Sequence, residues 1–362
     1  MTLPTMPAGL TPEWLTTTLT TQGVIPAGVA VTKIERERVG DGVGMMSDIG
    51  RLQLTYSEAG AGPSTLVAKF AGDNPTNREV AMQFHLFERE VRYFQELDQQ
   101  TQLTSPEMLH AEIEGDNFIL LMRDLSDYRS GDQAAGCDLH DTELAVDELI
   151  KLHGAFWDRM DGLQWVPGVA HSFHADNMHN FSEVGWPVMM QHFGDFVDPS
   201  IAAREADFMT ARRALQDRMH SAGPKTFIHG DFRLDNFFYG VKPEHHPIVI
   251  FDFQGPLQGN GMVDVALMLA QNTWKEVRVE HERGLIERYA AGLREMGIDY
   301  SDEQAWQDYL DAVLYNWFYA SVVSGTLDVS NPKSFAWISQ MVDRQSTASM
   351  ELDVFSRLDS YL

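Results

Sequence analysis

The stretch FIHGDFRLDNFFYG, Phe227 to Gly240, constrains this chain more than any other. It sets His229, Asp231, Arg233, Asp235 and Asn236 among aromatic residues that favour strands and cores. A second run, HHPIVIFDFQ, carries Asp252 at the end of an apolar strand-like segment. NFFYG and PIVIFDF read as two short strands joined by the VKPEHH turn, a hairpin that brings Asn236 and Asp252 together near Asp231. Three oxygen-bearing side chains at one end of a β-ribbon suit a hard cation such as Mg2+, which takes few protein oxygens and completes its shell with water and phosphate. A carboxylate that is not a ligand then accepts a hydroxyl proton while the metal neutralises phosphate oxygens. Taken singly, Asp and Asn are turn residues. Taken together, H-G-D-x-x-x-x-N with a second Asp inside IFDF points to chemistry.

The rest of the chain must build a scaffold for that hairpin. Its 362 residues, 44% hydrophobic and 22% charged, suffice for one large or two medium domains with their own cores. A net charge of −26 opposes nucleic acid and anionic lipid as partners and tolerates a cationic small molecule. The start, MTLPTMPAGLTPEWL, has no basic n-region and no long apolar run, so no secretory signal is expected. No apolar stretch approaches the roughly 20 residues of a membrane span. The single cysteine, Cys137, excludes an internal disulfide and suits a reducing cytoplasm, and it reads as inert rather than nucleophilic.

Texture changes along the chain. Thr11 before Pro12 and Glu13 is a helix start, and Gly23 is its stop. RLQLTY and TLVAKFA then alternate with the period of a strand, and SEAGAGP between them is a hairpin turn. NREVAMQFHLFEREVRYFQEL reads as one amphipathic helix whose apolar arc holds Leu86, Phe87, Phe94 and Leu97. Glu90 falls inside that arc, whereas Glu88 shares the solvent edge with Arg89 and Arg92. From about Asp138 onward the pattern is helical: ELAVDELIKLHGAFW, PSIAAREADFMTARRALQDRM, RGLIERYAAGL and SDEQAWQDYLDAVLYNWFY, the last opening on a Ser301/Gln304 capping box. A small sheet-bearing lobe and a larger helical lobe are expected.

The HGDFRLDN and IFDFQ arrangement resembles the catalytic loop of the aminoglycoside phosphotransferase and choline kinase superfamily, distant relatives of protein kinases. IFDFQ and LHGAFW are most similar to its ecdysteroid kinase-like branch, and HGDFRLDN is also similar to bacterial members described as generic phosphotransferases. The resemblance, carried by residues from about Val39 to Leu269, implies an α+β, bilobal, protein-kinase-like fold. It implies a small N-terminal antiparallel-sheet lobe with one helix, 1–125 together with the N-terminal helix, and a mostly helical C-terminal lobe, 126–362. The implied activity is ATP- and Mg2+-dependent transfer of the γ-phosphoryl group to a hydroxyl of a small molecule, with Asp231 as base and Asn236 and Asp252 on the metal.

The small lobe should then carry a phosphate cover and a lysine. RVGDGVGMMSDIGRL offers Gly40, Gly42 and Gly44, and Ser47 beyond them, as a loop whose N–H groups approach phosphate. The spacing departs from the kinase G-x-G-x-x-G, and a glycine-rich structural hairpin explains it equally well. Lys69 in LVAKFA points inward and needs an anion, because an unpaired buried ammonium is costly. In the family that lysine binds the α- and β-phosphates and pairs with a glutamate on the next helix, and Glu90 is the candidate. DNFILLMRDLSD reads as a buried strand entering the interlobe hinge, where the resemblance implies that backbone groups of Arg123 and Leu125 hold adenine. Arg233 either stabilises charge on the transferring phosphoryl group or merely pairs with Asp235. Asp264 in GMVDVALML matches a family aspartate that supports the catalytic loop, reads equally as a helix N-cap, and is assigned a structural role.

Other features stay open or weigh against alternatives. His171, His174 and His179 fit no common metal site and read as a polar loop over the acceptor cleft. Trp157, Trp165, Trp186 and Trp317 suit an apolar or cationic acceptor, or simply a core. DFQ replaces the kinase D-F-G, and no A-P-E-like segment follows, which disfavours protein substrates. A nucleotide-binding pseudokinase is the competing class; a metal-dependent hydrolase leaves the glycine loop and the Lys69/Glu90 pair unexplained.

Overall fold

A computed structural model describes residues 2–39, 46–221 and 225–362. Contacts divide the chain into two compact units, Met1–Gln100 with Ser105–Arg129, and Thr101–Thr104 with Ser130–Leu362. Gly40, Gly42 and Gly44 lie outside the described residues.

The first unit is built on five antiparallel strands: β1 Val31–Val39, β2 Ser47–Tyr56, β3 Thr65–Ala71, β4 Met108–Glu114 and β5 Asn117–Arg123, in the order β1-β2-β3-β5-β4. The alternation read from sequence sets the register, with Leu52 opposite Leu66 and Ile49 opposite Lys69. Tyr56 closes the β2–β3 hairpin by donating its hydroxyl to the Pro63 carbonyl at 2.8 Å. Each face of the sheet buries its own cluster. Leu52, Leu66, Ala68, Phe70, Ile119 and Leu121 pack with Trp14, Leu15 and Leu19 of the N-terminal helix Pro12–Thr21. That helix starts as expected, the Thr11 hydroxyl accepting from the Trp14 N–H at 3.1 Å. Ala71, Phe118 and Leu120 pack on the opposite side with Phe87 and Val91. A strand covered on both faces reads as an unbroken apolar run, which is why FILL in β5 shows no alternation.

The helix expected over the NREVAMQF segment and beyond is not continuous. It runs Pro75–Gln83, breaks at His85 in the left-handed region with φ 55°, resumes over Leu86–Arg92 and loosens into a π turn at Tyr93–Leu97. The break resets the helical phase. Arg89, expected beside Glu88 at the solvent edge, is therefore buried, with its guanidinium donating to the Phe84 carbonyl. Burial pulls its pKa down to about 9, against the attraction of Glu88. Glu88 is half-exposed, with Arg92 paired to it and to Glu96.

The second unit is mostly helical around the wholly buried helix Met262–Gln271. SDEQAWQDYLDAVLYNWFY does not form one helix but two, Asp302–Tyr315 and Trp317–Thr326, separated at Asn316. The Asn316 side-chain amide donates to the Val263 carbonyl at 3.1 Å. Ser301 caps the first of the two, accepting from the Gln304 N–H at 3.2 Å. Helix Trp317–Thr326 meets helix Phe173–Phe193 backbone to backbone: a Cβ on Gly325 would stand 2.2 Å from the Gly185 Cα. Only glycine at both positions permits that approach. Trp186 and Trp317 are core side chains in mutual contact, their ring centroids 5.4 Å apart.

The histidine-rich segment is not a loop. Ser172 caps the helix that begins at Phe173, and His174 is buried in its first turn. His171 pairs with Asp217 at 3.0 Å. Among the described residues no group of three or more His, Cys, Asp or Glu side chains is placed to hold a metal ion. None of the described helices is long and apolar enough to cross a membrane.

Candidate active site

In the first unit, the strand period decides what Lys69 meets. Leu66, Ala68 and Phe70 face the N-terminal helix, so Lys69 projects to the opposite face, toward the helix Leu86–Arg92. There its ammonium lies 2.7 Å from Glu90 Oε1, with the two side chains only 6% and 2% exposed. Removing one partner of such a pair strands a buried charge, at a cost of about 3–5 kcal/mol. Ser47 opens β2 opposite Ala71 and is half-buried. Arg123 ends β5 with its N–H donating to the Glu107 carbonyl at 3.1 Å and its Nε to the Glu107 carboxylate at 3.0 Å. The Leu125 carbonyl accepts from the Tyr128 N–H at 3.0 Å.

In the second unit, the polar loop 229–236 is suspended between two small β-ladders. Thr226–Ile228 pairs with Leu257–Gly259, and Phe237–Tyr239 pairs with Ile248–Ile250, both antiparallel. Three anchors fix its backbone. Asp264, fully buried, accepts from the His229 N–H at 2.6 Å and the Gly230 N–H at 3.0 Å, and its Oδ2 lies 3.2 Å from His153 Nε2. It sits inside its helix rather than at the N-cap, which Gly261 occupies, so the capping alternative falls away. His229 Nε2 donates to the Phe251 carbonyl at 3.1 Å, and its Nδ1 receives the Asp231 N–H at 3.3 Å; that pairing assigns the ring its tautomer. Gly230 takes φ 79°, and a Cβ there would lie 2.1 Å from the Gly255 carbonyl oxygen.

The carboxylate of Asp231 stands at the centre of this loop, 28% exposed. Its Oδ2 accepts from Asn236 Nδ2 at 3.0 Å and Arg233 Nε at 3.3 Å, and its Oδ1 accepts from the Tyr319 hydroxyl at 2.6 Å. Burial alone would raise its pKa; Arg233, Tyr319, His229 and Asn236 outweigh burial and hold it below the ordinary carboxylate range. Asp231 is therefore ionised at neutral pH. Burial and the neighbouring anion push the Tyr319 hydroxyl well above the usual tyrosine value, so it stays a donor.

Arg233 does not choose between its two expected partners. Its guanidinium lies 2.6 Å from Asp235, 3.2 Å from Asp231 and 3.3 Å from the Gln133 side-chain oxygen, and its centre lies 5.0 Å from the Trp337 ring centroid. Asp235 is held in turn by the Gln133 N–H at 3.0 Å.

Asn236 spends its amide hydrogens on the Asp231 carbonyl and carboxylate, at 2.9 and 3.0 Å, which turns its own Oδ1 away from them. The Phe251 N–H donates to the Asn236 carbonyl at 3.1 Å, so Asp252 follows at the next residue across the hairpin end. Asp252 lies just beyond the strand Ile248–Ile250, in the left-handed region with φ 66°, a strained setting for a residue with a side chain. An amide oxygen and a carboxylate at one hairpin end make an all-oxygen donor set, which fits Mg2+.

Sequence reasoning missed Tyr319, Trp337 and Gln133. Tyr319 stands 88 residues from Asp231 in a segment whose aromatic content reads as core, and nothing in its local pattern marks it out.

The fold is protein-kinase-like. It matches the GDP and kanamycin complex of APH(2")-IIia over 92% of this chain and 98% of that one, with a TM-score of 0.52 at 11% identity. The microcompartment-associated aminopropanol kinase matches over 93% and 97% with a TM-score of 0.48 at 11% identity, and the aminoglycoside-3'-phosphotransferase of type VIII over 79% and 94% with a TM-score of 0.46 at 16% identity. The sequence signature of the ecdysteroid kinase-like family matches residues 41–299, and the chain belongs to that family. The match runs through the whole helix Lys275–Glu295 and on to residue 299, further than the motifs themselves extend. No curated protein matches the sequence.

Proposed function

We propose that the protein is a small-molecule kinase that moves the γ-phosphoryl group of ATP to a hydroxyl of a cytoplasmic acceptor, with Mg2+. The observation that carries this reading is the Asp231 carboxylate. It is ionised, partly exposed, and locked to Asn236 inside a loop that Asp264 and His229 anchor. Family membership supports the reaction class.

In this reading Asp231 orients the acceptor hydroxyl by accepting its hydrogen bond. A carboxylate held below the ordinary range is a weak base, which suits a reaction whose transition state is loose and whose proton leaves late. Asn236 Oδ1 and Asp252 are the residues that would hold Mg2+, which would supply neutralisation of phosphate charge. Arg233, fixed by Asp231, Asp235 and Trp337, presents a guanidinium that does not have to reorganise as charge shifts. Lys69, aligned by Glu90, holds the α- and β-phosphates, with Ser47 and the glycines at 40, 42 and 44 as their cover. The Arg123 carbonyl and the Leu125 N–H match the donor and acceptor that the adenine edge offers. The acidic surface, net charge −26, keeps nucleic acid out of the set of partners.

The test combines thermal melts with and without Mg-ATP and a screen of alcohols and amino alcohols scored by product mass. Stabilisation by Mg-ATP together with an acceptor heavier by one phosphoryl group is the expected result. Stabilisation with no product from any acceptor would instead favour a pseudokinase, and no stabilisation at all would remove the nucleotide site.

A further inference from the structure

Four hydrogen-bonding contacts reach the Asp231 carboxylate, and three of them come from its own loop. Arg233 Nε touches both oxygens, at 3.2 and 3.3 Å, and Asn236 Nδ2 touches Oδ2 at 3.0 Å. The fourth comes from a different element and is the shortest: the Tyr319 hydroxyl, 2.6 Å from Oδ1. It is also an alcohol-type donor, an O–H on carbon pointed at the carboxylate to which the proposed acceptor must present its own O–H.

We propose that the Tyr319 hydroxyl occupies, in the protein without acceptor, the hydrogen-bonding position on Asp231 that an acceptor hydroxyl takes over, and so keeps water from that position. The inference rests on the kinase reading above. It makes Tyr319 a positioning residue that suppresses wasteful hydrolysis of ATP. Were water seated at Oδ1, its oxygen would attack the γ-phosphorus. The bond from that phosphorus to the bridging oxygen would break, ADP would leave with the electron pair, and the water proton would pass to Asp231 and on to solvent.

The surroundings of Tyr319 favour a latch that swings by side-chain rotation rather than by movement of its helix. Helix Trp317–Thr326 is pinned where Gly325 meets Gly185, with no room for a Cβ. Trp337, on the helix Pro332–Glu351, sits over Arg233, 5.0 Å from ring centroid to guanidinium carbon, so the cation beside Asp231 is covered as well. The carboxylate nonetheless keeps 28% of its side chain exposed, which gives an acceptor an approach to it.

The test is acceptor-free ATP hydrolysis by the full chain, compared among the parent, Tyr319→Phe, Asp231→Asn and the double variant. Phenylalanine retains the ring and its packing and vacates only the hydroxyl, space for a single water. Tyr319→Phe should raise hydrolysis on the order of tenfold, the factor that corresponds to about 1.4 kcal/mol, with the Mg-ATP melting shift unchanged. The gain should vanish in the double variant. Hydrolysis that is unchanged or lower in Tyr319→Phe, with the Mg-ATP shift intact, overturns the latch and leaves the kinase reading standing. A rise that persists in the double variant also overturns it, because the gain would not run through Asp231. Phosphorylation of Tyr319 itself, read as added mass on the intact parent, would make it an acceptor rather than a latch. A parent with no Mg-ATP shift removes the kinase reading and the latch with it.

Discussion

Replacing Asp264 with alanine tests whether the polar loop is held from behind or holds itself. The carboxylate is fully buried and receives the His229 N–H at 2.6 Å and the Gly230 N–H at 3.0 Å, with His153 Nε2 at 3.2 Å. Alanine leaves those donors facing apolar surroundings, and each buried donor without a partner costs about 1–3 kcal/mol. The sum, about 3–6 kcal/mol after some relaxation, is a large share of the roughly 5–15 kcal/mol that keeps a domain folded. Asp264→Asn retains one acceptor oxygen and turns a donating NH2 toward the other site, so it should lose about half as much. The assay is urea unfolding followed by far-UV circular dichroism, with amide exchange at Gly230 as a local probe. A loss under about 1 kcal/mol for Asp264→Ala, with the Gly230 amide still protected, would refute the anchoring argument.

Lys69→Met should lose the Mg-ATP melting shift and also destabilise the fold, because Glu90 is left buried without its ammonium partner 2.7 Å away; the double variant with Glu90→Gln should recover most of the stability and none of the shift. Gly230→Ala places a Cβ 2.1 Å from the Gly255 carbonyl oxygen at φ 79°, so soluble expression or melting temperature should fall sharply, whereas Gly284→Ala, where nothing lies within 4 Å, should be neutral or mildly stabilising. Cys137 is buried beside Thr142, and burial pushes its thiol up to about 12. A folded pKa above the unfolded value contributes stability that is present below about 8.5 and lost as pH rises toward 12; a thiol reagent at pH 8 should therefore label Cys137 no faster than the protein unfolds, and rapid labelling would contradict the burial.

The strands and the site loop were legible because their signals are local. Alternation in RLQLTY and TLVAKFA fixes which residues face the same side, and that parity alone directs Lys69 away from Leu66, Ala68 and Phe70. The helix breaks at His85 and Asn316 carry no such signal. Neither residue is a Gly or a Pro, and both stand inside patterns with good helical spacing. The phase argument that placed Arg89 in solvent assumed an unbroken helix, and a single left-handed residue at φ 55° is enough to swing that side chain inward. Glu90 kept its expected place because the strand presenting Lys69 offers a buried ammonium that only a carboxylate can satisfy.

The chemistry around Asp231 divides along the same line. Arg233, Asp235 and Asn236 lie within five residues of it, so the motif names them, and their mutual contacts follow from the tight loop that Gly230 opens. Tyr319, Trp337 and Gln133 reach the loop from 88 to 106 residues away, and their positions depend on where whole helices pack. Helix Trp317–Thr326 delivers Tyr319 only because two glycines, Gly185 and Gly325, let it press against its neighbour, and because Asn316 ends the preceding helix three residues earlier. A methyl group at Gly325 would therefore be expected to act at a distance. With its Cβ 2.2 Å from the Gly185 Cα, Gly325→Ala must push the helix outward, and the Tyr319 hydroxyl, which begins 2.6 Å from Asp231, would move beyond hydrogen-bonding range after a shift of about 1 Å. If the tyrosine is the latch, Gly325→Ala should reproduce the raised ATP hydrolysis of Tyr319→Phe without touching the carboxylate or its loop. A variant that keeps the parent's low hydrolysis despite a displaced helix would show that Asp231 excludes water by other means.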